Sequence, residues 1–269
     1  MEDVIYEEFD VLEISNVNGS SRMSDTTKKV IAEISLKIIV NGVELVSLLC
    51  LNQLQEELAL GFLYSEGVIN TYNDVLDISY NDRMLAVIIK LREGILINIQ
   101  ESLRSITSGC GKCYTYINPL KQSQYTIVKN NMKFSLDRIL QIMKEFMKES
   151  KIFKDIGGVH SVLFYTPAFK ILNEDIGRHN CFDKITGILL RDENLVMSKD
   201  SILFVSGRIS SEIMTKTVRL GTPILVSRST PTTAAVRLAK QYNVTLLGYV
   251  RGDKGYVYSC PDRLELYSS

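Results

Sequence analysis

The stretch from Ser201 to Val250 constrains the fold most. "SILFVS" is a short apolar run, "SSEIMTKTVRLG" reads as a helix and "PILVSR" is a second run. A second helix, "TPTTAAVRLAKQY", then leads into a third run, "VTLLGYV". Strand, helix, strand, helix, strand at this spacing implies parallel strands joined by right-handed crossovers. Upstream, Ser135 heads another helix. Leu136, Ile139, Leu140, Met143, Phe146 and Met147 fall on one face of it at a three-four spacing.

The first half is richer in strands. Ile34, Leu36, Ile38 and Val40 alternate with Ser35, Lys37 and Ile39, and Asn41-Gly42 suits a tight hairpin turn into "VELVSLL". Asn52 can cap a helix with Gln55 three residues on, Leu54, Leu58 and Phe62 share a face, and Gly67 is its stop. "VLDISY", "MLAVIIKL" and "ILINIQ" read as three more extended runs. The expected architecture is α/β: a smaller strand-rich α+β domain over residues 1–124 and a layered α/β domain over 125–269. The break falls near Pro119 to Asn131.

In open α/β sheets, ligands bind beyond the carboxyl ends of the strands. Here those ends are alike: Ser206-Gly207-Arg208, Ser227-Arg228-Ser229 and Arg251-Gly252-Asp253. On adjacent strands they gather three guanidinium groups along one rim, where the following helix N-termini add N–H groups. Arginine forks match phosphate oxygens, so the pattern suits a phosphorylated or nucleotide ligand. Both histidines follow glycine-containing turns, "GGVHS" and "EDIGRHN". Arg178 and His179 stand side by side, two residues separating them from the carboxylates Glu174 and Asp175, and can orient the same ligand.

Charge excludes some partners. With 31 basic and 31 acidic residues the net charge is zero, which argues against bulk nucleic-acid or polybasic membrane binding. The acidic start "MEDVIYEEFDVLEI" lacks the features of a signal peptide, and no apolar run reaches the ~20 residues that span a bilayer. The expectation is a cytosolic protein, in which the five cysteines stay reduced.

Two of those cysteines form a pair, Cys110 and Cys113 in "SGCGKCYTYINP". Three readings are open: a zinc site joined by His160 and His179, a redox pair, and a sulfur carrier. The histidines are not at zinc-finger spacing, and the segment after the pair is β-prone rather than the helix a thioredoxin-type pair opens. A carrier needs one activated thiolate on pliable backbone, which Gly109 and Gly111 allow and Lys112 can favour.

"GGVHSVLFY", "EDIGRHNCFDKITG", "SGRISSEIMTK", "TPILVSRSTPTTAAV" and "TLLGYVRG" resemble successive blocks of the formate dehydrogenase accessory sulfurtransferases, the FdhD family. "NGVELVSLL", "EELALGFLYSEGVI" and "TSGCGKC" resemble its first half. The resemblance implies a cytidine-deaminase-like α/β domain and a cytoplasmic homodimer. It also implies transfer of persulfide sulfur from a cysteine desulfurase to the molybdenum bis(molybdopterin guanine dinucleotide) cofactor before insertion into formate dehydrogenase. On this chain it makes Cys110 the persulfide carrier and Cys113 a helper. The segment Tyr249, Val250, Arg251, Gly252, Asp253 and Lys254 would contact the nucleotide, joined by Arg208 and Arg228. The competing class is a chaperone that holds the cofactor without covalent chemistry. Three departures stand out: Tyr114 replaces a Gly, the Thr-Pro before the first helix is missing, and Cys181 replaces a small apolar residue.

Overall fold

A computed structural model describes residues 4–95, 103–106, 114–117, 125–130 and 132–266. The chain begins with a long antiparallel ribbon, β1 (Tyr6–Val17) and β2 (Ser20–Ile31). Its turn is Asn18-Gly19, with φ of 51° and 83°, the positive pair that two-residue hairpins need. A four-stranded sheet follows, built from β3 (Ile34–Val40), β4 (Val43–Cys50), β5 (Val75–Asn81) and β6 (Ala86–Leu91) in the order β4-β3-β6-β5. The expected Asn41-Gly42 turn is present, at φ 50° and 83°, and Leu36, Ile38 and Val40 bury one face of β3.

α1 (Gln55–Ser65) covers that face. Its start differs from the expectation: Leu54, at φ 54°, caps it without a side-chain bond. Asn52 instead accepts a hydrogen bond from Gln55 Nε2 at 2.6 Å. Its end matches: Gly67 at φ 73° donates to Tyr64 O and Val68 to Leu63 O, both 2.9 Å. The expected Leu54–Leu58–Phe62 face is too narrow. Leu58, Ala59, Leu60, Gly61 and Leu63 are all buried, because α1 is sandwiched between the sheet and a second helix.

A short hairpin, β7 (Leu103–Ile106) and β8 (Tyr114–Ile117), pairs Ile106 with Tyr114. The run "ILINIQ" lies almost wholly outside the described residues. Then come β9 (Phe134–Ser135), α2 (Leu136–Glu149) and α3 (Lys151–Asp155). Ser135 Oγ accepts from Arg138 N at 3.3 Å, the predicted cap.

The second sheet has six strands: β10 (His160–Tyr165), β11 (Lys170–Asp175), β12 (Ile202–Val205), β13 (Ile224–Ser227), β14 (Thr245–Arg251) and β15 (Lys254–Ser259). They lie in the order β11-β10-β12-β13-β14-β15, and a small pair joins β9 to β16 (Leu264–Glu265). β12, β13 and β14 are parallel, as the alternation in the sequence requires, and antiparallel strands flank them. α4 (Arg178–Arg191), α5 (Ser211–Leu220) and α6 (Thr233–Gln241) pack on the face carrying Leu203, Val205 and Leu225. α2 packs Ile139, Ile142, Met143 and Phe146 on the other, against Ile202, Phe204 and Val226. Strands covered on both faces need no polar alternation, which is why these runs read as continuously apolar.

The two sheets meet through α1 and α4. A Cβ on Gly61 would stand 1.8 Å from the Asp183 carbonyl oxygen, and one on Gly187 1.9 Å from that of Glu57. The helices therefore cross backbone on backbone. No described helix is long and apolar enough to cross a membrane.

Candidate functional site

The carboxyl ends of β12, β13 and β14 form one rim, and the three arginines predicted there stand on it: Arg208, Arg228 and Arg251 are all exposed. Arg228 N donates to Val205 O at 3.0 Å and Arg251 Nε to Arg228 O at 3.0 Å, which ties the three strand ends together. Ser227 Oγ donates to Gly207 O at 2.7 Å and accepts from Ser229 N at 2.9 Å, so its hydroxyl shapes the rim rather than facing a ligand.

The β14–β15 corner supplies an aromatic wall. The pairing slips between Gly248 and Arg251, and within this bulge Tyr249 adopts φ 53°. Left-handed backbone is uncommon for an aromatic residue. It turns Tyr249 outward, 41% exposed, and drives Val250 inward to 1%. Val250, expected as a ligand contact, thus belongs with its side chain to the core beneath α2. The Tyr249 ring lies 5.7 Å from the Arg251 guanidinium carbon and edge-on to Tyr256 at 6.2 Å. Gly252, at φ 59°, turns the chain so that Arg251 pairs with Lys254. Asp253 is tethered by Lys144 Nζ at 2.5 Å, and that ammonium holds its carboxyl below the usual carboxylate range. The corner as a whole presents Arg251, Lys254 and Tyr249.

Expected free N–H groups on the helices after β12 and β13 are partly used. Ser210 Oγ accepts from Ile213 N at 3.4 Å and Thr232 Oγ1 from Ala235 N at 3.2 Å. Small hydroxyl residues placed just before a helix do this by default.

Histidines join the rim from the other side. β10 runs antiparallel to β12, with Val162 opposite Val205, so His160 lies beyond the carboxyl end of β12. Gly207 makes room for it: a Cβ there would stand 3.0 Å from His160 Nδ1. Burial, then the Arg178 guanidinium, pushes the His160 pKa below its ordinary value of 6.5. His179 Nε2 lies 3.0 Å from Glu212 Oε2. The sequence showed both histidines after glycine turns; only the sheet register brings Arg178 and the His160 imidazole beside Gly207.

The carboxylates before them do other work. Glu174 accepts from Ile152 N and Phe153 N, both at 3.0 Å, and caps the start of α3. Asp175 is fully buried and pairs with the equally buried Lys184 at 2.6 Å. It also accepts from Leu51 N at 3.2 Å, Gly177 N at 3.1 Å and Asn180 Nδ2 at 2.7 Å. That network pins the end of β4 to the start of α4.

Cys110 and Cys113 lie outside the described residues. The three described thiols are poorly placed for chemistry. Burial, reinforced by Asp175, pushes Cys50 up to about 12. Cys181, expected as a third thiol near the pocket, is fully buried, its thiol raised by the same causes, and its S–H donates to His160 O at 3.4 Å. Cys260 is also raised, chiefly by burial. Among the described residues, no group of three or more His, Cys, Asp or Glu side chains is arranged to hold a metal ion.

Known proteins share the sequence and the fold of this chain. Residues 31–265 match the model of the FdhD/NarQ family. The chain is 34% identical over 242 residues to the sulfur carrier protein FdhD of Bacillus pumilus, spanning 88% of this chain and 91% of that one. It is 37% identical over 241 residues to the protein of that name from Listeria innocua, at 87% and 91%. The fold is shared with a crystal structure from Desulfotalea psychrophila, described as that of a candidate formate dehydrogenase accessory protein. The TM-score is 0.75 at 21% identity, over 96% of this chain and 99% of that one.

Proposed function

This chain belongs to the FdhD/NarQ family, and from that premise we propose that it is a sulfur carrier serving formate dehydrogenase. The Cys110 thiolate attacks the terminal sulfur of a cysteine desulfurase's persulfide. The S–S bond breaks, the donor's thiolate leaves, and Cys110 becomes the persulfide. For delivery to the molybdenum bis(molybdopterin guanine dinucleotide) cofactor, here a substrate, the Cys113 thiolate, as helper, attacks the inner sulfur of Cys110; hydrosulfide leaves for the cofactor, and a cellular dithiol reduces the resulting Cys110–Cys113 disulfide. The working form is a cytoplasmic homodimer.

One observation carries the reading. Arg208, Arg228 and Arg251 stand exposed at three successive strand ends, and Arg251 lies beside the Tyr249 ring. Guanidinium forks and an aromatic face are what a guanine dinucleotide offers phosphates and a base to bind. Burial raises the thiol pKa of Cys50, Cys181 and Cys260, which supports assigning the chemistry to Cys110 and Cys113.

The test has two arms. Incubation with a desulfurase and cysteine, followed by peptide mapping, should place a labile sulfur on Cys110 and lose it in Cys110→Ala. Guanosine diphosphate should bind, and Arg251→Ala should weaken it about tenfold or more, the share of a charge-assisted bond. A Cys110→Ala protein that still activates formate dehydrogenase fully would leave the non-covalent chaperone as the better account.

A further inference from the structure

Between Arg251 and Lys254 the chain reverses through Gly252-Asp253. Of these two turn residues only Gly252 has a positive φ, at 59°, the pattern of a tight hairpin with glycine first. The turn belongs to the corner on which nucleotide binding depends, yet it carries a carboxylate. The Asp253 side chain is 83% exposed, with Arg251 two residues before it and Lys254 directly after.

A carboxylate in that place opposes phosphate in two ways. It repels the anion: two unit charges about 8 Å apart in water shift an equilibrium about twofold, and a diphosphate carries more than one charge. It also competes for the same donors, since an Arg251 or Lys254 paired with Asp253 is closed to phosphate oxygens.

Both effects are countered from α2. Lys144 Nζ donates to Asp253 Oδ1 at 2.5 Å across 109 residues of sequence. Met143 and Phe146 seat that turn of α2 in one core cluster with Leu247 and Val250, so the packing beneath the corner delivers Lys144 to it. Arg251 is engaged elsewhere: its Nε donates to Arg228 O at 3.0 Å and its guanidinium carbon lies 5.7 Å from the Tyr249 ring. The Lys144 side chain is 46% exposed, and ion pairs so open to water contribute little to stability. What the pair changes is the local charge.

We propose that Lys144 is a positioning residue for the phosphate-bearing ligand: it sequesters the Asp253 carboxylate and leaves Arg251 and Lys254 open to phosphate oxygens. The proposal rests on the nucleotide-binding reading above and gives α2 a part in it.

Calorimetric titration of the full chain with guanosine diphosphate tests it. Lys144→Ala should bind about threefold more weakly than wild type at low salt, and the gap should narrow as screening increases toward about 0.3 M. Lys144→Arg, which keeps the charge, should match wild type. Asp253→Asn should bind about twofold more tightly, because Lys144 then adds an unopposed charge. The double variant Lys144→Ala/Asp253→Asn should regain the wild-type constant. All four variants should keep the wild-type Tm, as exposed substitutions do, so that affinity is read on a folded protein. A pair that merely braces the turn gives the opposite pattern: Asp253→Asn as weak as Lys144→Ala, and the double variant no better. That result would overturn the proposal, as would Lys144→Ala binding like wild type at low salt. Wild type that binds no guanosine diphosphate would overturn the nucleotide-binding reading itself.

Discussion

Replacing Lys184 with Met tests the network that fixes the start of α4. In the native chain Asp175 Oδ2 accepts from Lys184 Nζ at 2.6 Å and from Leu51 N, while Oδ1 accepts from Gly177 N and Asn180 Nδ2. Both members of the ion pair are fully buried. Met fills most of the lysine volume, so the loss is electrostatic: a carboxylate kept from water with three of its four donors. Breaking a buried pair in this way costs about 3–5 kcal/mol. Asp175→Leu should cost more, since it isolates the ammonium and strands three N–H donors at about 1–3 kcal/mol each. The double variant should lose less than the sum of the singles, because no buried charge remains. Urea denaturation of the four proteins gives the coupling directly. If Lys184→Met loses less than about 1 kcal/mol, or the double variant is additive, the pair does not hold β4 to α4 and the reasoning fails.

Four further outcomes follow from the geometry. Gly61→Ala drives a methyl into the Asp183 carbonyl at 1.8 Å; it should cost about 2 kcal/mol or more, a fall of roughly 5 °C in Tm by calorimetry. Cys50 and Cys181 should resist iodoacetamide at pH 8 in the folded protein and react on denaturation, read by peptide mapping, since burial holds both as thiols. His160 takes up its proton below the ordinary 6.5 when folded, so the unfolded chain binds that proton first. Stability should be full above pH 6.5 and fall as pH drops below it, with a shallower fall in His160→Gln, measured as the urea midpoint against pH. Val250→Lys should destabilise the fold by about 3 kcal/mol or more through an unpaired buried charge, while Lys254→Ala, at an exposed position, should leave Tm unchanged.

Local sequence determined a good deal. The parallel β12–β13–β14 core, the α2 cap at Ser135, the Asn41-Gly42 turn and the Gly67 stop each depend on residues within one element or its borders. The Asn18-Gly19 turn was as readable as Asn41-Gly42, and the acidic strand before it concealed the ribbon only because its apolar residues face no core. The rim arginines were legible for the same reason: parallel order puts every strand's carboxyl end on one side.

Contacts between distant segments decided the rest. Val250 and Tyr249 exchange roles because a bulge interrupts the period of two, and no composition marks a bulge in advance. His160 and Arg178 meet at Gly207 only through the antiparallel β10–β12 register. Asp175 looked like a ligand group until Leu51 and Lys184 enclosed it, and Cys181 like a third reactive thiol until the same packing buried it. Periodicity within an element records which face turns inward. What that face meets depends on other elements of the chain, and there the tertiary structure alone decides.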